Sequence, residues 1–315
     1  MFFTNEKEMQ TYADCMDALK RLNRDYYILR KSNSYKVGMV ITMTKEMVKH
    51  GDIKRLRTNY SRWFLGRKSS RQLKTPEHDF PLRKLKPDMY FSNARIAVYT
   101  AIFGKYDGIL EPTLTPDNID YYVITDQNVD LSKSAWNKVD IKAFEKQISK
   151  MNNIEKNRYF KMMPHLVFRD YEYSIYIDGN IQVVTDLTEF VNYIGKYDIA
   201  THQHFCRDCV YDECEAILSA KKDSVANIEK HKELYLKTNM PLHYGLMECN
   251  ILARRHTELC KNIMESWWDE FLEYSNRDQL SLPHVLFMAN IPVAEVATLG
   301  ANVFLNPSIR VVTHN

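Results

Sequence analysis

From residue 95 onward, short β-rich runs alternate with longer runs of helical periodicity, and this alternation constrains the fold more than any other feature of the sequence. Parallel strands need long crossover connections, usually helices, so the pattern favours a mainly parallel sheet covered on both faces. We therefore predict an α/β fold. The expected strands are residues 95–102, 120–125, 135–139, 174–177, 198–201, 248–253, 293–296 and 303–305, and the expected helices are residues 153–167, 186–194, 207–220, 225–238, 257–274 and 278–289.

The first 90 residues differ in charge from the rest, and we predict two units, 1–90 and 91–315. Residues 1–90 contain 20 basic and 10 acidic side chains, a net charge of +10, whereas residues 91–315 contain 23 and 30, a net charge of −7. Such an asymmetry indicates parts with different roles. Residues 5–31 have apolar side chains three or four positions apart, which predicts a helical N-terminal extension, and the proline-containing residues 76–87 predict an extended connector.

Residues 36–74 are basic, aromatic and amphipathic, with eleven lysines and arginines against Glu46 and Asp52. This composition favours peripheral contact with an anionic membrane surface, or with a partner protein. The alternative is a helical arm that packs on the main domain and exposes a solvated basic face. No recognised nucleic-acid-binding motif accompanies the charge, so we expect no nucleic-acid partner.

The composition predicts a cytoplasmic protein that is at most peripheral at the inner membrane face. The mean hydropathy is −0.44, and no apolar run approaches the roughly 18–20 residues of a spanning helix. The charged first residues are unlike a signal peptide. The six cysteines show no disulfide framework, which fits a reducing compartment.

The predicted strand 174–177 ends at Asp178, Gly179 and Asn180, which form the first candidate site. In open α/β sheets, ligands bind outside the carboxyl ends of the strands. Aspartate can hold a hard cation there, glycine permits close approach of a ligand, and asparagine adds a neutral oxygen. The alternative is a plain Asp-Gly turn between two strands.

Loops after the first two predicted strands supply a second set of candidates. Thr100, Phe103, Gly104 and Tyr106 follow the first strand, and Asp126 follows the second. In a nucleotide-sugar site, an aromatic side chain can stack on the base while a carboxylate reads the base edge or the ribose. Neither a dinucleotide-binding fingerprint nor a phosphate-binding P-loop is present.

Three basic residues share one face of the predicted helix 153–167. Arg158, Lys161 and His165 are spaced i, i+3 and i+7, and Pro164 should kink or end the helix. Their charges could bind a diphosphate or hold the carboxylates of the neighbouring strand. The alternative is a solvated basic face.

The histidines and cysteines between residues 202 and 214 have a spacing that resembles a metal site. His202, His204, Cys206, Cys209 and Cys214 include ligand types that zinc accepts. The spacing matches no recurrent zinc finger, and reduced thiols packed in a helix are the favoured alternative. Because both histidines follow a predicted strand, they stay candidates for contact with an acceptor or a metal.

Two more acidic residues follow in the last third of the chain. Glu248 and Asn250 lie in a predicted strand that follows Gly245, where a ligand can approach closely. Asp278 and Gln279 open a predicted helix, whose backbone N–H groups favour negative charge. For Asp278, a simple helix-start acid is the alternative.

Taken together, residues 95–315 resemble a GT-A-type glycosyltransferase-like domain family, found among bacterial surface-polysaccharide enzymes and plant cell-wall and mucilage proteins. The resemblance therefore implies a GT-A-like mixed, mainly parallel sheet flanked by helices, preceded here by the helical extension. It rests on five blocks in order, at residues 99–107, 158–165, 176–180, 204–213 and 277–279.

The resemblance implies transfer of a sugar from a nucleotide-diphosphate sugar, expected to be a uridine diphosphate sugar, to a hydroxyl group. The acceptor would be a saccharide or a lipid-linked saccharide, in the synthesis of a bacterial capsule or lipopolysaccharide. By similarity, residues 178–180 take the place of the D-x-D motif, which holds Mn²⁺ or Mg²⁺ on the donor diphosphate. Asn180 replaces the second aspartate and removes one negative charge from the metal site.

The resemblance also implies roles for the remaining candidates. Arg158, Lys161 and Arg207 would stabilise the leaving diphosphate. Glu248 and Asp278 are candidates for the group beneath the anomeric carbon. His202, His204 and Gln279 belong to the acceptor or phosphate side.

Two other functions are compatible with the same residues. The lost aspartate at Asn180 also fits a catalytically silent sugar-nucleotide binder or scaffold protein. A hydrolase of the donor is the other alternative, because a transferase without an acceptor often hydrolyses its donor slowly.

Overall fold

The computed structural model describes residues 6–32, 94–104 and 106–312, with scattered positions between 34 and 49. Most of the basic segment 36–74, and all of the connector 76–87, lie outside the described residues, so their predicted roles stay predictions. The division into units 1–90 and 91–315 also stays a prediction.

A six-stranded sheet forms the centre of the protein. Its spatial order is β3-β2-β1-β4-β7-β6. The central strands β1, β2, β3 and β4 run parallel, and β7 runs antiparallel to both β4 and β6. The sheet strands are β1 Ile96–Ile102, β2 Ile119–Thr125, β3 Trp136–Lys138, β4 Tyr173–Ile177, β6 Ile199–Gln203 and β7 Met247–Arg255, and a second, two-stranded antiparallel sheet pairs β5 Ile181–Val183 with β8 Ile309–Val311.

Helices cover the sheet and connect its strands. The long helix Glu258–Glu273, α8, shows why such a segment is helical. Thr257 accepts a hydrogen bond from the Cys260 backbone N–H at the start of the helix, and Ile263 and Trp267 line its buried face. The helices are α1 Glu6–Lys31, α2 Glu145–Ile148, α3 Asn153–Met162, α4 Pro164–Val167, α5 Thr188–Val191, α6 Val210–Ser219, α7 Val225–Lys237, α8 Glu258–Glu273 and α9 Asp278–Met288. This arrangement confirms a mixed, mainly parallel sheet flanked by helices, with an N-terminal helix.

Strand β1 separates the two main apolar clusters of the core. All seven of its residues are buried, as expected for a parallel strand covered on both faces. Ala97 and Tyr99 point into one cluster, and Ile96 and Val98 point into the other, because successive side chains of a strand alternate between faces. The sheet therefore gives the loops at its carboxyl end a rigid support.

The predicted break at Pro164 is confirmed. Helix α3 starts with a capping box between Asn152 and Glu155 and ends at Met162, and Pro164 then begins the one-turn helix α4. Proline fits a first helical turn because its missing N–H has no partner to lose there. Helix α3 thus directs its last turn toward the end of β4.

The predicted helix at residues 5–31 is confirmed as α1, which packs on the C-terminal segment. Lys20 forms a buried ion pair of 2.5 Å with Glu189, and Asn23 donates hydrogen bonds to the carbonyls of Pro307 and Ile309. Across the residues that are described, no helix is long and apolar enough to cross a membrane.

Three expectations about short elements are wrong. Residues 293–296 and 303–305 were expected to be strands but lie in 3-10 helices, Val293–Glu295 and Val303–Leu305. Asn302 accepts a hydrogen bond from the Phe304 N–H and so starts the second of these turns. The expected helix 186–194 is reduced to α5. Strand β8 was not expected, and β5 was expected only under the alternative of an Asp-Gly turn between two strands.

Candidate active site

The loops after β1, β2 and β4 meet at the carboxyl edge of the sheet. The Gly104 N–H donates to Asp126 Oδ1 at 3.3 Å, which joins the first two loops. The Asp107 carboxylate lies beside Gly179, which joins the first loop to the third: a Cβ at Gly179 would be 3.0 Å from Asp107 Oδ2. The three loops therefore meet at this edge, and their meeting point is called the Asp178 crevice below. Gly179 leaves the room that the Asp107 carboxylate occupies.

Asp178 directly follows β4 and keeps 31% of its side chain exposed. Its Oδ1 accepts a hydrogen bond of 2.8 Å from the Tyr176 hydroxyl and lies 3.7 Å from Lys161 Nζ. Its backbone N–H donates to the Asn250 carbonyl on β7 at 2.9 Å. The carboxylate is thus held on one side by β4 and α3 and reaches solvent on the other.

The buried Lys161 and the largely shielded Arg158 place two positive charges behind this carboxylate. Lys161 is 1% exposed and contacts Asp278 Oδ2 at 2.5 Å, and Arg158 Nε lies 3.2 Å from the same oxygen. Burial by itself raises the pKa of Asp278, but the charges of Arg158 and Lys161 outweigh it and lower that pKa well below its usual range. The solvated face considered for these two cations is therefore wrong.

His165 does not join this cluster. Its ring faces Glu265, with Nε2 3.5 Å from Oε1, and burial lowers its pKa. It follows Pro164, so it belongs to α4 rather than to the last turn of α3. The spacing i, i+3 and i+7 no longer places it with Arg158 and Lys161.

Glu248, on β7, forms the other side of the candidate site. Its Oε2 accepts a hydrogen bond of 3.0 Å from the Gln279 amide, and its Oε1 lies 3.6 Å from His204 Nε2. Burial, and then the nearby charge of Glu213, raise the pKa of Glu248 to about 7. Glu248 and Gln279 are therefore brought together, as the sequence predicted for the acceptor side.

His204 is fixed between two carboxylates. Its Nδ1 accepts the backbone N–H of Arg207 at 3.1 Å, so the neutral ring carries its proton on Nε2. Burial, and then the charge of Arg207, lower the pKa of His204 to about 4. Nε2 lies 3.7 Å from Glu213 Oε2, and Arg207 Nε donates to that same oxygen. The four side chains form one connected polar network.

Three predicted site residues lie away from the crevice. Phe103 is 4% exposed and stacks on Phe160 at 5.8 Å, so it cannot stack on a base. Thr100 is buried within β1, although its hydroxyl has no hydrogen-bond partner among the residues described. His202 is fully buried, and its Nε2 is 2.8 Å from the Asn306 amide nitrogen. Tyr106, 65% exposed, is the aromatic side chain that the first loop offers to solvent.

Asn180 differs from a second aspartate in what it binds. Its amide nitrogen donates to the Val312 carbonyl at 3.1 Å, which ties the turn to the end of the chain. Among the described residues, no group of three or more His, Cys, Asp or Glu side chains is placed to hold a metal ion. Mg²⁺ often takes only one or two carboxylates from the protein and the rest from substrate phosphates and water, and Asp178 fits that use.

Cys206 Sγ lies 3.9 Å from His204 Nδ1, but in the described part of the chain the cysteines and histidines of residues 202–214 form no group of three or more that could hold a metal ion. Cys209 and Cys214 are buried free thiols, and Cys214 packs in the apolar cluster of α6 and α7. For Cys214, the alternative of a reduced thiol packed in a helix is therefore correct.

Sequence reasoning missed two polar side chains at the crevice. Asp107 was part of the first block but was not assigned a role. Asn157, one residue before Arg158, donates to the Ala101 carbonyl at 2.6 Å and so ties α3 to β1. Their contacts depend on residues far away in sequence, so only their position next to recognised blocks could have indicated them.

Comparison with known proteins places this site in a family. Over 136 residues, 40% of this chain and 23% of the relative, the chain is 25% identical to the probable hexosyltransferase MUCI70 of Arabidopsis thaliana, so it spans about a quarter of that relative's length. Among solved structures it is similar to the bifunctional glycosyltransferase WbbM in its apo form, with a TM-score of 0.45 and 15% identity over 68% of this chain and 39% of WbbM. It is also similar to mouse xyloside xylosyltransferase 1, with a TM-score of 0.38 and 9% identity over 64% and 83% of the two chains.

The sequence model of one domain family matches residues 71–313, which is most of the chain and includes every residue of the crevice and of the Glu248 network. The resemblance drawn from the five sequence blocks is thereby confirmed. The chain belongs to the TOD1/MUCI70 glycosyltransferase-like domain family.

Proposed function

We propose that this protein transfers a sugar from a nucleotide-diphosphate sugar, with uridine diphosphate as the expected carrier, to a hydroxyl group of a saccharide. The observation that carries the proposal is the arrangement around Asp178. A partly exposed carboxylate at the end of a central strand lies against the buried Lys161, which shares Asp278 with the largely shielded Arg158, and a second carboxylate with a raised pKa lies on β7. A diphosphate and an attacking hydroxyl need these two kinds of group.

The donor side would consist of the first and third loops. Gly104 and Gly179 let the side chains of Asn153 and Asp107 pack closely against these two loops, and the exposed side chains of Tyr106 and Asp126 would contact the base and ribose. Arg158 and Lys161 place positive charge behind Asp178, where a leaving diphosphate gains negative charge. A divalent cation, Mn²⁺ or Mg²⁺, would be held by Asp178 together with the phosphate oxygens, and it would supply further positive charge to the leaving group.

Asp278 is better described as a positioning residue than as the group beneath the anomeric carbon. Asp278 is 4% exposed, and its carboxylate is bound by Lys161 and Arg158. An ionised carboxylate in this position fixes the two cations and cannot reach a sugar ring.

Glu248 is our candidate general base. A base works best when its pKa is near the working pH, and the pKa of Glu248 is raised to about 7. Gln279 and His204 orient its two oxygens. Neutral His204 would donate from Nε2, which leaves Glu248 free to accept a proton from the acceptor hydroxyl.

We further propose that the acceptor belongs to a growing surface polysaccharide, and that residues 36–74 hold the protein near a lipid-linked acceptor. The charge of this segment supports membrane contact. Flotation with anionic vesicles, comparing the full chain with a variant that has its lysines and arginines at 36–74 replaced by glutamine, tests this. Equal flotation contradicts it.

Donor binding and turnover test the main proposal. We expect uridine or guanosine diphosphate to bind in a calorimetric titration, with Mn²⁺ strengthening the binding, and a labelled nucleotide sugar to be turned over. Asp178→Ala should abolish turnover while circular dichroism stays unchanged. Asp170→Ala, an exposed aspartate before β4, is the matched control. Normal turnover by Asp178→Ala would refute the proposal.

The second candidate function is a silent sugar-nucleotide binder. Lys161 already lies near Asp178, and the Asn180 amide is engaged with Val312, so a site that binds a diphosphate without a metal is physically reasonable. Nucleotide binding with no turnover for any donor and acceptor would favour this function. Donor hydrolysis that no acceptor accelerates would instead identify a hydrolase.

A further inference from the structure

A groove lies between α1 and residues 304–311 of the C-terminal segment. It has a cavity volume of about 100 Å³ and is lined by five residues between Asn23 and Ile28 and by seven between Phe304 and Val311. This is room for a carboxylate and part of one sugar ring, and the groove is open to solvent. Nothing in the donor or acceptor roles assigned above uses it.

Arg310 is the organising residue of this groove. Its Nε donates to Asn23 Oδ1 at 3.2 Å, one terminal nitrogen lies 3.4 Å from Gln182 Oε1, and its guanidinium carbon lies 4.4 Å from the centre of the Tyr26 ring. All three partners are neutral. Within the part of the chain that the structure describes, Arg310 forms no ion pair. Arg310 is thus a cation held in one orientation, with no counter-ion among the residues that are described.

The partners of Arg310 are themselves fixed. Asn23 is 6% exposed, and its amide nitrogen donates hydrogen bonds to the carbonyls of Pro307 and Ile309. The amide oxygen of Asn23 therefore faces Arg310. The Gln182 amide nitrogen donates to the Glu111 carbonyl at 3.1 Å, which turns the Gln182 oxygen toward Arg310 in the same way. The fork of the guanidinium is therefore positioned before any ligand arrives, which reduces the entropy lost on binding.

The groove combines positive charge with aromatic rings. The described residues that line it include Arg24 and Arg310 and no aspartate or glutamate. Tyr26, Tyr27 and Phe304 contribute ring surfaces. An arginine fork binds a carboxylate with two parallel hydrogen bonds, and aromatic faces pack well against the C–H face of a sugar ring. Carboxylate and sugar ring occur together in a uronic acid.

Two contacts connect the groove to the acceptor side of the site. Phe304 packs edge-on against Phe205, which stacks on His204 at 5.1 Å. Asn306, also in the lining, lies 2.8 Å from the buried His202, two residues before His204. A ligand in the groove therefore lies next to the segment that holds His204 and Glu248.

We propose that this groove is a binding site for an acidic saccharide, with Arg310 as the ligand to the carboxylate of a uronic acid unit. In the transfer reaction, that unit would be part of the acceptor chain, several sugars away from the hydroxyl that reacts. Only this last assignment rests on the proposed function. The binding of an acidic saccharide can be measured on its own.

Calorimetric titration of the full chain provides the test. The probes are uronic acid trisaccharides, neutral hexose trisaccharides of the same linkage, and inorganic phosphate. We expect the acidic trisaccharide to bind and the neutral one to bind at least tenfold more weakly. Arg310→Met should weaken binding of the acidic trisaccharide roughly 10- to 100-fold, as for a lost charged hydrogen bond. Arg310→Lys should lose less, because it keeps the charge.

Arg255→Met is the matched control, because this arginine is half exposed at the end of β7 and does not line the groove. It should bind the acidic trisaccharide as the unchanged protein does. Equal affinity for acidic and neutral trisaccharides, full binding by Arg310→Met, or binding of phosphate as tight as that of the acidic trisaccharide would overturn the proposal.

Nucleotide binding separates this proposal from the proposed function. Uridine diphosphate should bind Arg310→Met and the unchanged protein equally, because Arg310 is not part of the Asp178 crevice. If the protein binds the acidic saccharide but turns over no donor, the saccharide-binding groove is supported and the proposed transferase function is refuted. If it turns over a donor but does not bind the acidic saccharide, the transferase function is supported and the saccharide-binding groove is refuted.

Discussion

Removing the carboxylate of Asp278 should destabilise the protein strongly. Asp278→Asn keeps the size of the side chain but leaves Lys161, 1% exposed, and the half-shielded Arg158 without their common counter-ion. Removing one partner of a buried ion pair costs about 3–5 kcal/mol, because the remaining charge stays buried. Asp178, 3.7 Å from Lys161, replaces only part of the lost interaction. We therefore expect a loss within this range at pH 7.

Urea denaturation followed by tryptophan fluorescence measures the loss, since Trp267 on α8 donates to the Asp278 backbone carbonyl. For a domain of this size, the same loss lowers the melting temperature by roughly 6–20 °C. Asp269→Asn, an exposed aspartate on α8, is the control and should change stability by less than about 0.5 kcal/mol.

Acid pH should remove the difference between the two proteins. The pKa of Asp278 is lowered in the folded state, so its stabilisation is fully present above its unfolded pKa of about 3.9 and is lost as the pH falls toward the lower folded value. The gap between the unchanged protein and Asp278→Asn should therefore narrow below about pH 4. Adding Lys161→Met to Asp278→Asn should recover part of the stability, by removing one of the two unpaired charges.

A loss below about 1 kcal/mol at pH 7, or a gap that is as wide at pH 3 as at pH 7, would refute the reasoning. Either result would mean that water or other groups already solvate Lys161 and Arg158. The assignment of Asp278 as a positioning residue would then fail as well.

Three further predictions concern the crevice and the acceptor side. With Glu248 as the base, kcat/KM should rise as the pH passes about 7, because the Glu248 carboxylate then becomes ionised. Glu248→Gln should lose this rise of kcat/KM with pH and most of the rate. A pH profile that the substitution does not change contradicts the role of Glu248 as base. Gly179→Ala should weaken diphosphate binding at least tenfold, because the added Cβ would be 3.0 Å from Asp107 Oδ2 and would displace it. Its melting temperature should stay within a few degrees of that of the unchanged protein. Equal diphosphate binding by the two proteins in a titration contradicts the need for glycine at this position. Asn180→Asp adds a negative charge two residues from Asp178 and should tighten nucleotide binding in the presence of Mn²⁺ several-fold. Nucleotide binding without metal should be unchanged or weaker. If Mn²⁺ does not strengthen nucleotide binding by this variant, the proposed cation at Asp178 is contradicted.

The sheet could be predicted because its strands are long enough to show their pattern. Strand β1 has seven buried residues, and β7 has nine residues that are mostly buried, so both are visible as apolar runs. Strands β5 and β8 have three residues each, and they exist only because they pair with one another across more than 120 residues of chain. No local signal marks such a pair.

The candidate site could be predicted only in part, for a similar reason. Helical spacing correctly places Arg158 and Lys161 on one face of α3. Whether that face meets water or protein depends on Asp278, 117 residues after Lys161. Phe103 was expected to meet a base because it follows a strand, but Phe160 on α3 covers it.

The contacts of α1 join the beginning of the described chain to its end. Lys20 neutralises the buried carboxylate of Glu189, and Asn23 binds the backbone at residues 307 and 309. During synthesis α1 leaves the ribosome almost 300 residues before the segment it binds at residues 307–309. Its docking therefore depends on contacts of very high sequence separation, which form late because long loops must close first. Removing α1 would leave the buried Glu189 without its cation.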